Sequence, residues 1–398
     1  MTQLFDTPVD RRGYSIKWDL VPPDVLPLWV ADMDFRSPEP VIRALRDRVA
    51  QGTFGYHFDS LPLRETLAER MQTRYGWQIV PGDVFFMPGL VVALNVVCRL
   101  TGEPGSSVIM HTPVYHPFLG APLNNGQTVI SSELLRRRAN GSIHYTIDFD
   151  AFEGAITPQT RLFLLCNPHN PVGRSWTRAE LERLAEICLR HNLYICSDEI
   201  HCDLLLDEQA HIPIASLSPE VAARTITLMA PSKTFNLPGL GLGFAIIQDA
   251  ELMKKLQGLL FTQHLFPPVN TLAYSAALAA YREGQAWLDA LLPYLRANRD
   301  TLVAYVHQHM PRVALTCPEA TYLAWLDLSE SGIPSSAQMM PGSSQTFFWN
   351  EARVAVQEGR IFGQGGEPFV RLNFGCTRAT LLEALERMRA ALDRHNLL

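Results

Sequence analysis

Short apolar runs alternate with helix-period stretches through the middle of this chain, and that alternation constrains the fold more than any other feature. The runs Val84–Met87, Ser107–Met110, Arg161–Cys166, Leu193–Ser197, Thr225–Met229 and Leu242–Ile247 have strand length and few polar residues. Such runs suit strands buried on both faces of a parallel sheet. Between the third and fourth, Thr177 stands as a helix N-cap and Glu180 completes a capping box. Leu181, Leu184, Ile187 and Cys188 then recur on one face. Strand–helix–strand repetition predicts an α/β fold, a mostly parallel sheet covered by helices on both faces.

From about residue 284 the pattern changes. A long helical stretch runs from Gln285 to Met310, expected to break near Pro293. It is followed by the run Leu323–Leu328, a polar loop over Ser331–Ser344 and a last helix from Thr377. This predicts a smaller α+β domain. The expected division is a large domain over 41–284, and a small one built from 1–40 with 285–398. A chain of 398 residues is long enough for two such cores. There is no internal repeat.

A formal net charge of −6 argues against nucleic acid and anionic membrane surfaces as partners. No stretch reaches the roughly 18 apolar residues of a membrane span. The first residues lack the basic and apolar regions of a signal peptide. Seven cysteines form no Cys-x-x-Cys pair, and Cys166 and Cys196 lie within apolar runs as buried reduced thiols. The expected compartment is the cytosol.

Open α/β sheets bind ligands at the carboxyl ends of their strands, so the residues placed there carry the functional argument. Thr225–Met229 leads through Pro231 to Ser232-Lys233-Thr234-Phe235-Asn236. A lysine in a loop is by itself an ordinary surface residue; held in a partly apolar cleft, its amine can deprotonate and form a Schiff base. Arg161–Cys166 runs into Asn167-Pro168-His169-Asn170-Pro171-Val172-Gly173, where two Asn-Pro steps enforce a non-helical turn. Leu193–Ser197 delivers Asp198-Glu199-Ile200-His201, and Asp198 reads equally as a helix N-cap or as the partner of a buried cationic ligand. Met87-Pro88-Gly89 passes into an apolar helix whose first N–H groups suit a phosphate, a weak motif on its own. Ser107–Met110 ends in His111-Thr112-Pro113-Val114-Tyr115, which brings an aromatic ring to the same edge.

One cofactor uses all of these together. Pyridoxal phosphate needs a lysine for its aldehyde, a carboxylate for its ring nitrogen and a donor for its phenolate oxygen. It also needs a flat group against its ring and an anion site for its phosphate. Lys233, Asp198, Asn170 or His201, Tyr115 and the Gly89 turn supply that set.

The chain also resembles the fold type I pyridoxal-phosphate enzymes of the aspartate-aminotransferase superfamily, and within them the MalY/PatB branch of carbon–sulfur β-lyases. The resemblance rests on Leu28-Trp29-Val30-Ala31-Asp32-Met33-Asp34-Phe35, Asn167–Gly173, Asp198–His201, Ser232–Asn236, Thr321–Asp327 and Val370–Cys376. It implies that Lys233 holds the cofactor and shuttles the Cα proton, that Asp198 keeps the ring nitrogen protonated, and that Asn170 bonds the ring oxygen. It puts His201 where aminotransferases often have a tyrosine with the same task. Tyr115 would stack on the ring, and Ser232 with the N–H groups of Leu90 and Val91 would hold the phosphate. Tyr56 would reach across a homodimer interface, and Arg371 would grip the substrate carboxylate. Trp29, with Tyr322 and residues of 331–345, would sense the leaving group.

Two positions depart from the superfamily pattern. Eight residues after the lysine, where many aminotransferases carry a phosphate-pairing arginine, stands Gly241; Ser106 replaces a frequent aspartate. The glycines of 239–243 precede a strand instead of following one, so they form no dinucleotide fingerprint. Metal chemistry is unsupported: His307 and His309 are two apart and cannot face one ligand on a helix, and His111 and His116 have no matching carboxylates. The expected activity is α,β-elimination from cystathionine or another cysteine S-conjugate. Transamination, or an added regulatory protein-binding role on the same fold, remains open.

Overall fold

The computed structural model describes residues 3–57, 59–263, 269–333 and 343–398. Its central sheet has seven strands, in spatial order Val84–Met87, Gly243–Ile246, Thr225–Met229, Tyr194–Asp198, Thr160–Cys166, Ser107–Thr112 and Thr128–Glu133. All six expected runs are strands within a residue or two of their predicted ends. The five strands from Thr225–Met229 to Thr128–Glu133 pair in parallel. Gly243–Ile246 is the exception, running antiparallel to both neighbours. The segment before it holds only the short helix Pro231–Thr234 and a turn at Pro238–Leu240, with no long helix to carry a crossover. The sheet is therefore mixed. Because Gly243–Ile246 is reversed, Val84–Met87 again points the same way as the parallel strands, and Gly243 pairs with Met87 at the edge where those strands end.

Both faces are covered. Leu90–Thr101 and Ala250–Thr262 pack apolar side chains such as Leu94, Val97, Leu252 and Leu256 against one face. Arg178–Arg190 packs Leu181, Leu184, Ile187 and Cys188 against the other. Its start is as expected: Thr177 accepts from the Glu180 N–H while Glu180 reaches back to the Thr177 N–H.

A second sheet has six strands, in order Gln357–Glu358, Phe369–Asn373, Leu323–Asp327, Ala314–Thr316, Ser142–Thr146 and Leu135–Ala139. Its last two strands form a hairpin from within the expected 41–284 span, and Ser142–Thr146 pairs with Ala314–Thr316. The hairpin turns at Asn140-Gly141, both with positive φ, the dipeptide that favours a type I′ turn. That signal was present in the sequence.

Gln285–His309 is one helix of 25 residues and does not break at Pro293. Proline there removes one hydrogen bond to the preceding turn. Trp287, Leu288, Leu291, Tyr294, Leu295, Leu302 and Val306, before and after it, are all buried and hold the two halves in line. The final helix, Arg378–Arg394, is capped by Thr377, which accepts from the Thr380 N–H. Part of the polar loop over 331–344 lies outside the described residues.

Candidate active site

The strand ends meet at a cavity of about 300 Å³. Its walls include Lys233 and Ser232 after Thr225–Met229, Asp198 and His201 after Tyr194–Asp198, and Asn170 after Thr160–Cys166. Tyr115 comes from the loop after Ser107–Thr112, and Gly89, Leu90 and Val91 from the turn after Val84–Met87. The sequence also placed Arg371, Trp29 and Tyr56 at the site. Arg371 lies behind the wall, donating through Nη1 to Asn170 Oδ1 at 3.1 Å and through Nη2 to the Trp29 carbonyl at 3.1 Å. Trp29 reaches the site only through that carbonyl; its indole N–H donates to the Lys17 carbonyl. Tyr56 is 95% exposed and stands apart from the cavity.

Lys233 sits in the short helix Pro231–Thr234, and its amine donates to the Ala31 carbonyl. Burial lowers that amine to about 8; Asp32 and Asp198 pull it upward, while Arg371 adds to the lowering. Asp198 is pushed up to about 7, chiefly by burial and partly by neighbouring Glu199, against the opposing N–H of Ile200. One of its oxygens accepts that N–H at 3.1 Å, and the other makes no hydrogen bond within the described residues. No helix starts there, so the carboxylate caps a turn while keeping one oxygen for a ligand. Arg371 is buried with no carboxylate partner among the described residues, and burial lowers it to about 10. A desolvated guanidinium without an anion is a site waiting for one.

Asn170 accepts from Arg371, and its own NH₂ makes no hydrogen bond within the described residues. His201 is buried, its Nδ1 has no hydrogen-bond partner among the described residues, and burial with the nearby charges of Lys233 and Arg371 holds it well below the usual histidine value. It is a neutral ring, packed edge-on against Tyr322. His169, between the two Asn-Pro steps, turns away and bonds the Pro113 carbonyl at 2.8 Å.

The end of the cavity at the Gly89 turn is backbone. Gly89 takes φ 148°, a conformation other residues rarely adopt, and opens the 12-residue helix Leu90–Thr101. The first-turn N–H groups of that helix have no acceptor within it. Gly241 has φ 62°, lines the cavity, and would bring a Cβ within 3.3 Å of the Pro88 carbonyl. A side chain there would be both strained and crowded.

Sequence reasoning missed the floor of the site. Ala31 lines the cavity, and the segment around it is tied down by Asn236, three residues past Lys233, and by Asn373, two past Arg371. Cys166 also lines the wall, accepting from the Asn170 N–H. Both asparagines stand inside motifs read for other reasons; what they bond to is set only by the tertiary fold.

Comparison with known proteins agrees with this architecture. The model of the class I and II aminotransferases matches residues 23–388. Cystathionine beta-lyase PatB of Bacillus subtilis is 40% identical over 98% of this chain and 100% of its own. The crystal structure of OvoB is 44% identical, covers 98% of both chains and superposes with a TM-score of 0.90. That of cystalysin from Treponema denticola, which contains pyridoxal 5'-phosphate, is 32% identical over 98% of this chain and 99% of its own, with a TM-score of 0.91. The chain belongs to the class I and II aminotransferase family.

Proposed function

We propose that this chain is a pyridoxal-phosphate-dependent carbon–sulfur β-lyase acting on L-cystathionine or related L-cysteine S-conjugates. The observation that carries the reading is likeness along the full chain to a protein named for cleaving cystathionine.

The cavity's donor set fits pyridoxal phosphate. It offers an amine at Lys233, a carboxylate with a spare oxygen at Asp198, unused donors at Asn170 and His201, and unpaired N–H groups behind a glycine cradle. Asn170 and His201 are the donors for the ring oxygen, and Tyr115 is the flat wall. The N–H groups of Leu90 and Val91 with the Ser232 hydroxyl take the phosphate. With Gly241 in the arginine position, no side-chain cation at that point shares the task. When bound, the cofactor supplies an aldehyde for the substrate amine and a protonated ring that withdraws electrons from Cα.

The chain's residues do the rest. Asp198 holds the proton on the ring nitrogen. Arg371, fixed by Asn170 and the Trp29 carbonyl, binds the substrate carboxylate as the anion its pocket lacks. Lys233, lowered to about 8, is a base near neutral pH and takes the Cα proton. Loss of that proton lets the Cβ–S bond break, with its electron pair leaving on sulfur. With one water consumed, the products are a thiol, pyruvate and ammonia.

Tyr56, 95% exposed on the single chain, fits a homodimer in which it reaches the partner's cavity. Six of the seven free cysteines are buried, which suits a reducing cytosol. Among the described residues, no helix is long and apolar enough to cross a membrane.

Incubation with L-cystathionine and no keto acid tests the reading. Thiol, pyruvate and ammonia should appear in equal amounts and continuously. A stall after one turnover, relieved by added keto acid, would make the enzyme an aminotransferase.

A further inference from the structure

Four successive carbonyls of the site's floor, Trp29 to Asp32, are each taken by a side chain from Phe369–Asn373 or from the residue leading into Leu323–Asp327. Arg371 donates to Trp29 O at 3.1 Å, Asn373 to Val30 O and Asp32 O at 2.6 Å each, and the Tyr322 hydroxyl to Ala31 O at 2.9 Å. Strand register brings these donors together. Leu323 pairs with Asn373 and Trp325 with Arg371, and the Phe374 N–H extends the ladder to the Tyr322 carbonyl. On the same segment, the buried acids Asp32 and Asp34 tie the backbone to Arg11 and Lys17.

Ala31 O is the carbonyl that the Lys233 amine shares. Two donors from two different sheets thus converge on one oxygen. Tyr322 is the fixed one of the pair. It is fully buried, does not belong to the cavity wall, and packs its ring edge-on against His201. Burial raises its phenol well above the usual value, so the hydroxyl keeps its hydrogen and stays a donor. Lys233 lines the cavity and is the one that can move.

We propose that Tyr322 is a positioning residue for Lys233: its hydroxyl aims the Ala31 carbonyl at the resting amine and keeps that carbonyl hydrogen-bonded when the amine leaves for the cofactor aldehyde. The proposal rests on Lys233 being the reactive amine of a pyridoxal-phosphate enzyme. When the neutral amine condenses with the aldehyde, a C=N bond forms. The aldehyde oxygen departs as water with both amine hydrogens, and nothing is oxidised or reduced. The nitrogen, now held on the cofactor, stops serving Ala31. Ala31 lines the cavity, so a bound ligand covers its carbonyl, and an acceptor left there without a donor is costly. The Tyr322 hydroxyl removes that cost, and with it a penalty on forming the covalent bond.

Equilibrium dialysis of protein freed of cofactor tests this. It compares pyridoxal 5'-phosphate with pyridoxine 5'-phosphate, which carries an alcohol in place of the aldehyde and cannot bond to Lys233. Tyr322→Phe keeps the ring beside His201 and loses only the hydroxyl. It should bind pyridoxal 5'-phosphate about tenfold more weakly than the wild type, and pyridoxine 5'-phosphate equally well. In a Lys233→Ala background the same substitution should change neither affinity.

Equal losses for the two ligands, from a distorted pocket or a protein that does not fold, would make the role structural and overturn the proposal. No loss for either, or a loss that persists without Lys233, overturns it too. The cofactor reading fails separately, if the wild type takes up neither ligand or shows no preference for the aldehyde.

Discussion

Lys233, Asp198 and Arg371 are ionisable groups that burial moves toward their neutral forms: the amine falls to about 8, the carboxyl rises to about 7 and the guanidinium falls to about 10. Each is what a site looks like when its charges are to be completed by a ligand. Asp198 lets the cost be measured. Its folded value stands above the ordinary carboxyl value of 3.8, so its stabilising contribution is complete below about 3.8 and is lost as pH rises through about 7. Asparagine imitates the neutral carboxyl at every pH. In denaturant titrations, cofactor-free Asp198→Asn should therefore match the wild type in unfolding free energy near pH 4 and exceed it at pH 8, by about 3 kcal/mol. An equal difference at both pH values would show that Asp198 carries no such burden.

At the scale of single elements, local chemistry foretold most of the outcome. The Thr177–Glu180 box starts its helix and the six apolar runs are strands, because short-range capping and burial on both faces leave a direct imprint on residue order. Two features were decided elsewhere. Pro293 sits inside an unbroken helix because buried side chains on both sides of it outweigh one lost hydrogen bond. The hairpin at Asn140-Gly141 could have been read from that dipeptide, but its membership of the second sheet could not, since its partner Ala314–Thr316 lies far along the chain. The Gly89 turn allows a test at this scale. A Cβ there would touch nothing within 4 Å, so Gly89→Ala brings backbone strain alone. The variant should lose about 1–3 kcal/mol of stability. It should also bind pyridoxal phosphate at least about tenfold more weakly in a fluorescence titration, as the N–H groups rotate out of register. Unchanged affinity would remove this turn from the phosphate site.

Across the whole molecule, the sequence made the cavity legible because each element leaving the sheet ends in a residue of distinct chemistry. Lys233, Asp198, Asn170, Tyr115 and Gly89 come from five separate points on the chain and meet because the strands that lead to them point one way. The floor at Ala31 was not legible. A backbone carbonyl has no signature in residue order, and it becomes an acceptor for Lys233 only once Asn236, Asn373 and the buried acids fix the segment around it. Tyr56 marks a further boundary: it is exposed on the single chain, and the role proposed for it depends on a second copy.

The absorbance spectrum of the purified protein with pyridoxal phosphate tests the claim on which the rest depends. The wild type should show the visible band of the lysine-bound cofactor, and Lys233→Ala, folded as before, should lose it. A wild type that takes up no cofactor, or a Lys233→Ala variant that keeps the same band, would contradict the account.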